Sequence, residues 1–467
     1  MNVGRAAGAL AAIVALTAAV ADAQTPSPPD AQAMNPTQEI AKETPEGPAI
    51  VAGPTEIRIG GYLGVTGIYR STDNGGGTGS SFGTIPYADT ADGNLSEFRL
   101  SAQASRLSIR VNAAQAPNRA TLAGYFEMDF NGTVPGSVAV TSTSVGFRLR
   151  NAFGEGQFHG RFLVAAGQAY TLMTPARNQL SIWPSDYELT HAVDMNYVAG
   201  MVWGRMPQVR FTYRPSTSFN WAVSVENPEQ QIGSGEVTLP ACCGSDLATQ
   251  YNTGSNGLDV PNAMPDLASR AAFNAGKVLH VDAGGVLRLF RHTLKPYDQT
   301  VKQAGGGVSV NASVTPGTAT ALLGQLAYGP GLGRYIGGLV PDVSISADGQ
   351  IHPIRAASWV VGVEHRLSTH ASAALYDSGV RADASYSADT SGAYIGFGYP
   401  GAPTSANKSI HEVTGVFAWQ AWRIEGRGSM QWTTQASWLR RTPWSAGPDL
   451  SSADAVMVFT QIRYNLP

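Results

Sequence analysis

From Glu56 onward the chain repeats one pattern: stretches in which apolar and polar residues alternate, joined by connections that are long and short in turn. A period of two sends successive side chains to opposite faces of a strand. In the first stretch Ile57, Ile59, Leu63 and Val65 share one parity, and Arg58, Tyr62 and Thr66 take the other. Sixteen strands are read, at 57–70, 97–113, 120–130, 144–151, 161–169, 208–214, 219–227, 264–273, 278–291, 305–313, 320–329, 356–366, 370–378, 411–420, 423–434 and 455–464. Connections after odd strands are mostly long and rich in Gly, Ser, Asp and Pro: 71–96, 131–143, 170–207, 228–263, 330–355, 379–410 and 435–454, with 292–304 intermediate. Those after even strands are short, at 114–119, 215–218, 274–277, about 315–317, 367–369 and about 421–422, with 152–160 a mild exception. An even strand count with short turns on one rim and long loops on the other marks a transmembrane β-barrel. A soluble sandwich has no reason to segregate its loops, and no fixed-period repeat suggests a propeller. The expected fold class is all-β, a transmembrane antiparallel barrel of about sixteen strands with long outer loops and short periplasmic turns, over residues 56–467.

Composition agrees. Charged residues make up 14% of the 467, against about 25% in an ordinary soluble domain, yet the apolar fraction is only 43%. Plentiful aromatics and a net charge of -3 argue against disorder. No run after residue 21 is long and apolar enough for a membrane helix. The near-neutral balance, Lys+Arg 31 against Asp+Glu 34, excludes a strongly basic nucleic-acid binder.

At the N-terminus Arg5, the small apolar stretch Ala6–Ala21 and Ala21-Asp22-Ala23 read as a secretory signal peptide over 1–23. Residues 24–55 hold seven prolines and keep neither period, so an extended periplasmic tail is expected. Cys242 and Cys243 are adjacent and cannot staple distant elements. An exported barrel with these features belongs in the outer membrane of a Gram-negative-type cell, among its lipids and lipopolysaccharide.

One parity of the strands should meet lipid. Leu122, Phe126, Met128 and Phe130 alternate with Tyr125, Glu127 and Asp129; Val209, Phe211 and Tyr213 alternate with Gln208, Arg210 and Thr212. Charges therefore collect on the other parity, which is tolerable only if that face lines water, because a basic residue at the lipid midplane costs about 2–4 kcal/mol. A barrel this wide is not filled by wall side chains alone. The bases are 26 Arg and 5 Lys. Arg58, Arg106, Arg110, Arg148, Arg150, Arg161, Arg210, Arg355, Arg366, Arg423 and Arg427 are read as inward, with Arg288 inward as well although Leu287-Arg288-Leu289-Phe290 is ambiguous. Inward acids are fewer: Glu127, Asp129, Glu226, Asp282, Glu364, Glu412 and Glu425. The arginines either pair with these acids to support the wall or form a ladder that attracts anions, since a guanidinium fork matches carboxylate or phosphate. The connection 170–207, with Tyr170, Arg177, Trp183, Asp186 and Tyr187, is expected to fold inward as a constriction.

These features suggest a passive channel. A barrel hydrolase would need a nucleophile, base and orienting group in reach of one another, but the eight histidines are scattered and none sits in a G-x-S-x-G or H-E-x-x-H setting. A structural or adhesin barrel would have a closed lumen. No metal or cofactor site is read.

The runs Gly124-Tyr125-Phe126-Glu127-Met128-Asp129-Phe130, Phe147-Arg148-Leu149-Arg150-Asn151-Ala152-Phe153-Gly154 and Leu163-Val164-Ala165-Ala166-Gly167-Gln168-Ala169-Tyr170, with Ser105-Arg106-Leu107-Ser108-Ile109-Arg110 in style, resemble the DcaP-like outer-membrane porins. The match is strongest over about 57–190. The resemblance implies a sixteen-stranded homotrimer that prefers small carboxylates such as dicarboxylates, without enzymatic activity. It also implies that Arg106, Arg110, Glu127, Asp129, Arg148 and Arg150 are wall residues near a constriction made by the loop after the fifth strand. Two features depart from the family: the region before the barrel is Pro-rich where some members have a helix, and the last residues are Tyr464-Asn465-Leu466-Pro467 rather than a terminal Phe.

Overall fold

A computed structural model describes residues 49–74, 77–113, 120–132, 145–184, 191–254, 256–294, 299–338, 340–445 and 451–467. The signal peptide, most of the tail, and Asp186 and Tyr187 lie outside these ranges. One continuous antiparallel sheet closes on itself. Its staves are β1 (Thr55–Arg70), β2 (Glu97–Ser101 and Arg106–Ala113, interrupted once), β3 (Thr121–Asp129), β4 (Arg148–Phe158), β5 (Phe162–Tyr170), β6 (Arg205–Tyr213), β7 (Phe219–Glu226), β8 (Asp266–Ala275), β9 (Leu279–Leu294), β10 (Gln299–Val314), β11 (Thr320–Pro330), β12 (Arg355–Arg366), β13 (Ala371–Ala382), β14 (Asn407–Ile424), β15 (Gly428–Pro443) and β16 (Ala453–Asn465). Each pairs with the next, and β16 returns to β1 through Tyr62↔Asn465 to Arg70↔Met457. The sixteen-stave barrel read from alternation is therefore observed.

The wall sorts side chains by parity. Phe126, Phe211, Trp221, Leu287 and Leu326 point outward and are exposed, while Glu127, Arg210, Ala222 and Phe290 on the opposite parity are buried. Several boundaries differ from the sequence reading. β4 runs on to Phe158 and turns at His159 (φ 50°) and Gly160 (φ 69°), two left-handed residues that make a tight hairpin. Residues 152–158 of the apparent exception are thus strand, and the connection itself is short. β9 and β10 are sixteen residues each, which shrinks the connection read at 292–304. Ile50–Ala52 folds back on Thr55–Ile57 through Gly53, so paired structure begins inside the segment read as tail.

The interior is occupied. The connections after β5 and β11 supply buried apolar residues, among them Leu172, Met173, Val202, Leu332, Ile336 and Val343, that join inward Phe290, Ala222 and Phe459 in one core.

Candidate functional site

The lumenal wall is built from inward polar residues. On β3, Tyr125, Glu127 and Asp129 form a buried row. β4 carries a register shift opposite Glu127 and Met128, and this bulge turns both Arg150 and Asn151 toward Glu127. Arg150 Nε lies 2.5 Å from Glu127 Oε1, its Nη1 3.0 Å from Asp129 Oδ2, and its Nη2 3.1 Å from the Tyr170 hydroxyl. Arg148 donates twice to Asp129, at 3.0 and 2.6 Å. Arg106 Nη1 is 3.9 Å from Glu127. Three arginines thus face two carboxylates.

Arg288 resolves its ambiguous run: it points inward, its guanidinium 4.8 Å from the ring of inward Phe290, and Leu287 points outward. Its Nε is 3.2 Å from Asp266 and its Nη1 2.6 Å from Asp342 of the connection after β11. Arg210 meets carbonyls instead of acids, donating to Tyr170 at 2.7 Å and Ser181 at 3.1 Å.

Four arginines are not placed as read. Arg161 lies in the turn after β4 and is exposed. Arg427 lies in the turn between β14 and β15, and Arg423 flanks it beyond the β14 bulge at Gln420/Trp422. Arg161 and Arg427 lie past the strand ends, where parity no longer defines a side, and the bulge breaks the parity count before Arg423. Arg355 opens β12 on the parity of Trp359 and Val361 and points outward.

Residues 171–184 and 191–204 touch inward residues on several sides of the barrel. Glu226 of β7 accepts the Leu172 amide at 2.8 Å and the Thr171 hydroxyl at 2.6 Å. Asp282 of β9 accepts the Ala176 amide, and Arg177 donates to Glu364 of β12 at 3.3 Å. The indole of Trp183 donates to Glu155 of β4 at 2.8 Å. Gln435 of β15 accepts the Val193 amide, and Glu412 of β14 accepts the Ala199 amide. These two stretches, bonded to β4, β7, β9, β12, β14 and β15, lie in the interior. Tyr170, just before the first of them, places its hydroxyl 2.5 Å from that of Tyr197.

On the β1, β2 and β16 side lies a more solvated basic strip. Arg58 and Arg110 are direct cross-strand partners. The Tyr62 ring lies between the guanidinium groups of Arg106, at 5.4 Å, and Arg463, at 4.8 Å. Arg110 sits 4.4 Å from the Trp183 ring. Carboxylates reach this strip too: Glu56 pairs with Arg58, the more distant Glu127 lies near Arg106, and Glu155 acts on Arg110. Arg463 escaped the sequence reading because it falls near the chain end. Buried Arg270, paired with Asp282, escaped because β8 alternates weakly. Among the described residues no group of His, Cys, Asp and Glu could hold a metal.

No known family model matches the sequence, and no curated relative is detected. Solved structures do match. The crystal structure of the outer-membrane channel DcaP of Acinetobacter baumannii superposes with a TM-score of 0.64 at 15% identity, covering 89% of this chain and 99% of that one. The chain has the fold of an outer-membrane channel. Salmonella typhi OmpF in complex with daunomycin (TM-score 0.48, 10% identity, 90% and 100% covered) and the trimer form of Vibrio cholerae OmpT (0.47, 12%, 88% and 99%) match less well. The likeness to DcaP spans the barrel at the level of fold.

The outer mouth of the channel fold carries a titrating group. Glu236, in the connection after β7, is pushed up to about 7 by burial. Burial favours its neutral carboxyl, so its contribution to loop packing is fully present below the ordinary value of 4.5 and is lost as pH rises through about 7. Proteolysis within 227–265 is expected to speed up between pH 5 and pH 8, and Glu236→Gln to flatten that rise. A pH-independent rate in the parent protein would contradict this.

Proposed function

We propose that the chain is an outer-membrane porin, a passive diffusion channel for small anionic solutes, in particular mono- and dicarboxylates. It is exported by a signal peptide at 1–23 and assembles as a homotrimer. The carrying observation is the basic strip of Arg58, Arg106, Arg110 and Arg463. Like charges directly opposite in a ladder destabilise a sheet, so the Arg58/Arg110 pair has a role to offset its cost. Planar guanidinium groups held on Tyr62 and Trp183 suit a passing carboxylate. The segment 171–204 acts as the constriction, with Trp183 stacked against Arg110 beside the path.

The paired state of Arg148, Arg150 and Arg288 favours a division of labour. These three brace the wall against buried acids, and the strip supplies the anion preference. In a KCl gradient across a planar bilayer the reversal potential is expected to report anion selectivity. Arg58→Ala with Arg110→Ala is expected to shift it toward zero, while Arg381→Ala, on the outward face, leaves it unchanged. Cation selectivity in the parent protein would sink the reading. Absence of conductance would favour the second reading, a structural barrel with a closed lumen, which the apolar packing of 171–204 and 331–354 also supports.

A further inference from the structure

The outward face is apolar around most of the barrel, but not at the long-loop ends of β13 to β16. His411 and Arg440 are direct cross-strand partners there, and Arg440 is in turn opposite Asp454. Arg381 of β13 pairs with Ser409, two residues from His411 on the same parity. The three basic side chains therefore sit on neighbouring staves, within the distances of direct and diagonal cross-strand pairs. All face away from the lumen: His411 and Arg440 are 37% and 43% exposed.

The cluster is ordered by its neighbours. His411 Nε2 is 2.7 Å from Asp377 Oδ2, and Asp377 Oδ1 accepts from the Trp359 indole at 2.9 Å. Arg440 is 5.2 Å from the Trp438 ring and pairs with Asp454 at 2.8 Å. Among the described residues no carboxylate pairs with Arg381. Below the cluster, toward the short turns, outward Val361 and Leu375 are more than half exposed. Charged groups on a lipid-facing wall are costly at the midplane and tolerable only near the interface. Tryptophans mark that interface. A second girdle, Trp419 and Trp422, lies toward the short-turn end of β14. The cluster is thus at headgroup height in the outer leaflet, with an apolar surface for acyl chains directly beneath.

We propose that Arg381, His411 and Arg440, framed by Trp359 and Trp438, bind the phosphate of an anionic glycolipid of the outer leaflet. Arginine forks match phosphate oxygens, and Arg381, with which no carboxylate pairs among the described residues, offers its fork without a competing acid. A second copy of this chain would set Arg381 against basic side chains of its own kind and offers no phosphate.

The test is native mass spectrometry of the full chain in detergent, with diphosphorylated lipid A and its dephosphorylated form as probes. The parent protein is expected to retain the diphosphorylated probe and to hold the dephosphorylated one weakly. Arg381→Ala with Arg440→Ala is expected to weaken the diphosphorylated complex by about tenfold or more, with bilayer conductance unchanged. Asp454→Asn, which removes the carboxylate competing for Arg440, is expected to strengthen it and is an independent readout should the double variant not fold. Equal retention of the two probes by the parent protein would overturn the proposal, as would unaltered retention in the double variant. Unaltered or weaker binding by Asp454→Asn, or loss of oligomer with lipid retention intact, would also overturn it.

Discussion

Replacing Arg150 with alanine is expected to cost the barrel about 3–5 kcal/mol, the range for breaking a buried ion pair from one side. Glu127 and Asp129 are fully buried and both lean on this guanidinium. Arg148 keeps Asp129, but Glu127 loses its close ion pair and keeps the more distant Arg106, at 3.9 Å, with neutral donors such as the Tyr125 hydroxyl, at 2.9 Å, and the amide of Asn151. The Tyr170 hydroxyl also loses a donor. Combining Arg150→Met with Glu127→Gln removes both charges and is expected to recover most of the loss, because the penalty lies in the unpaired carboxylate. Urea unfolding in detergent, followed by the electrophoretic shift of the folded barrel, measures both. A loss below about 1 kcal/mol in the single variant would mean that water reaches the cluster.

Excising 172–202 and bridging the ends with a Gly-Ser linker is expected to raise single-channel conductance severalfold. A barrel of sixteen staves encloses far more space than its own side chains fill, and this segment crosses that space from Glu226 to Glu412. Shortening it exposes Glu226, Asp282 and Glu364 to water, so selectivity should move toward cations at the same time. Unchanged conductance would place the narrowest point elsewhere, with the connection after β11 as the next segment to shorten.

The barrel was legible in the sequence because a two-sided wall writes its geometry directly into alternation. Even the weak stretches at 264–273, 305–313 and 320–329 are staves. The errors cluster where alternation stops carrying information. Arg161 and Arg427 sit in turns, Arg423 follows a bulge in β14, and the bulge facing Met128 adds a residue that no parity count foresees. The filling of the lumen was only partly legible. Leu172, Met173, Val198, Met201 and Val202 are too apolar for a solvated loop, a signal available in the sequence. Which acids those residues reach depends on register across the whole barrel. Arg381, read as part of an outer loop, is wall, because β13 runs on to Ala382.

The seam between β1 and β16 has a consequence for biogenesis. Its partners, such as Tyr62 and Asn465, are almost the whole chain apart. Until the last stave has been synthesised and delivered, β1 is a bare edge able to template association with other chains. Closure by so distant a contact is also slow. The nascent polypeptide must therefore be kept from pairing throughout its transit, and a chain stopped short of Ala453 would be an aggregation hazard from the moment it is released.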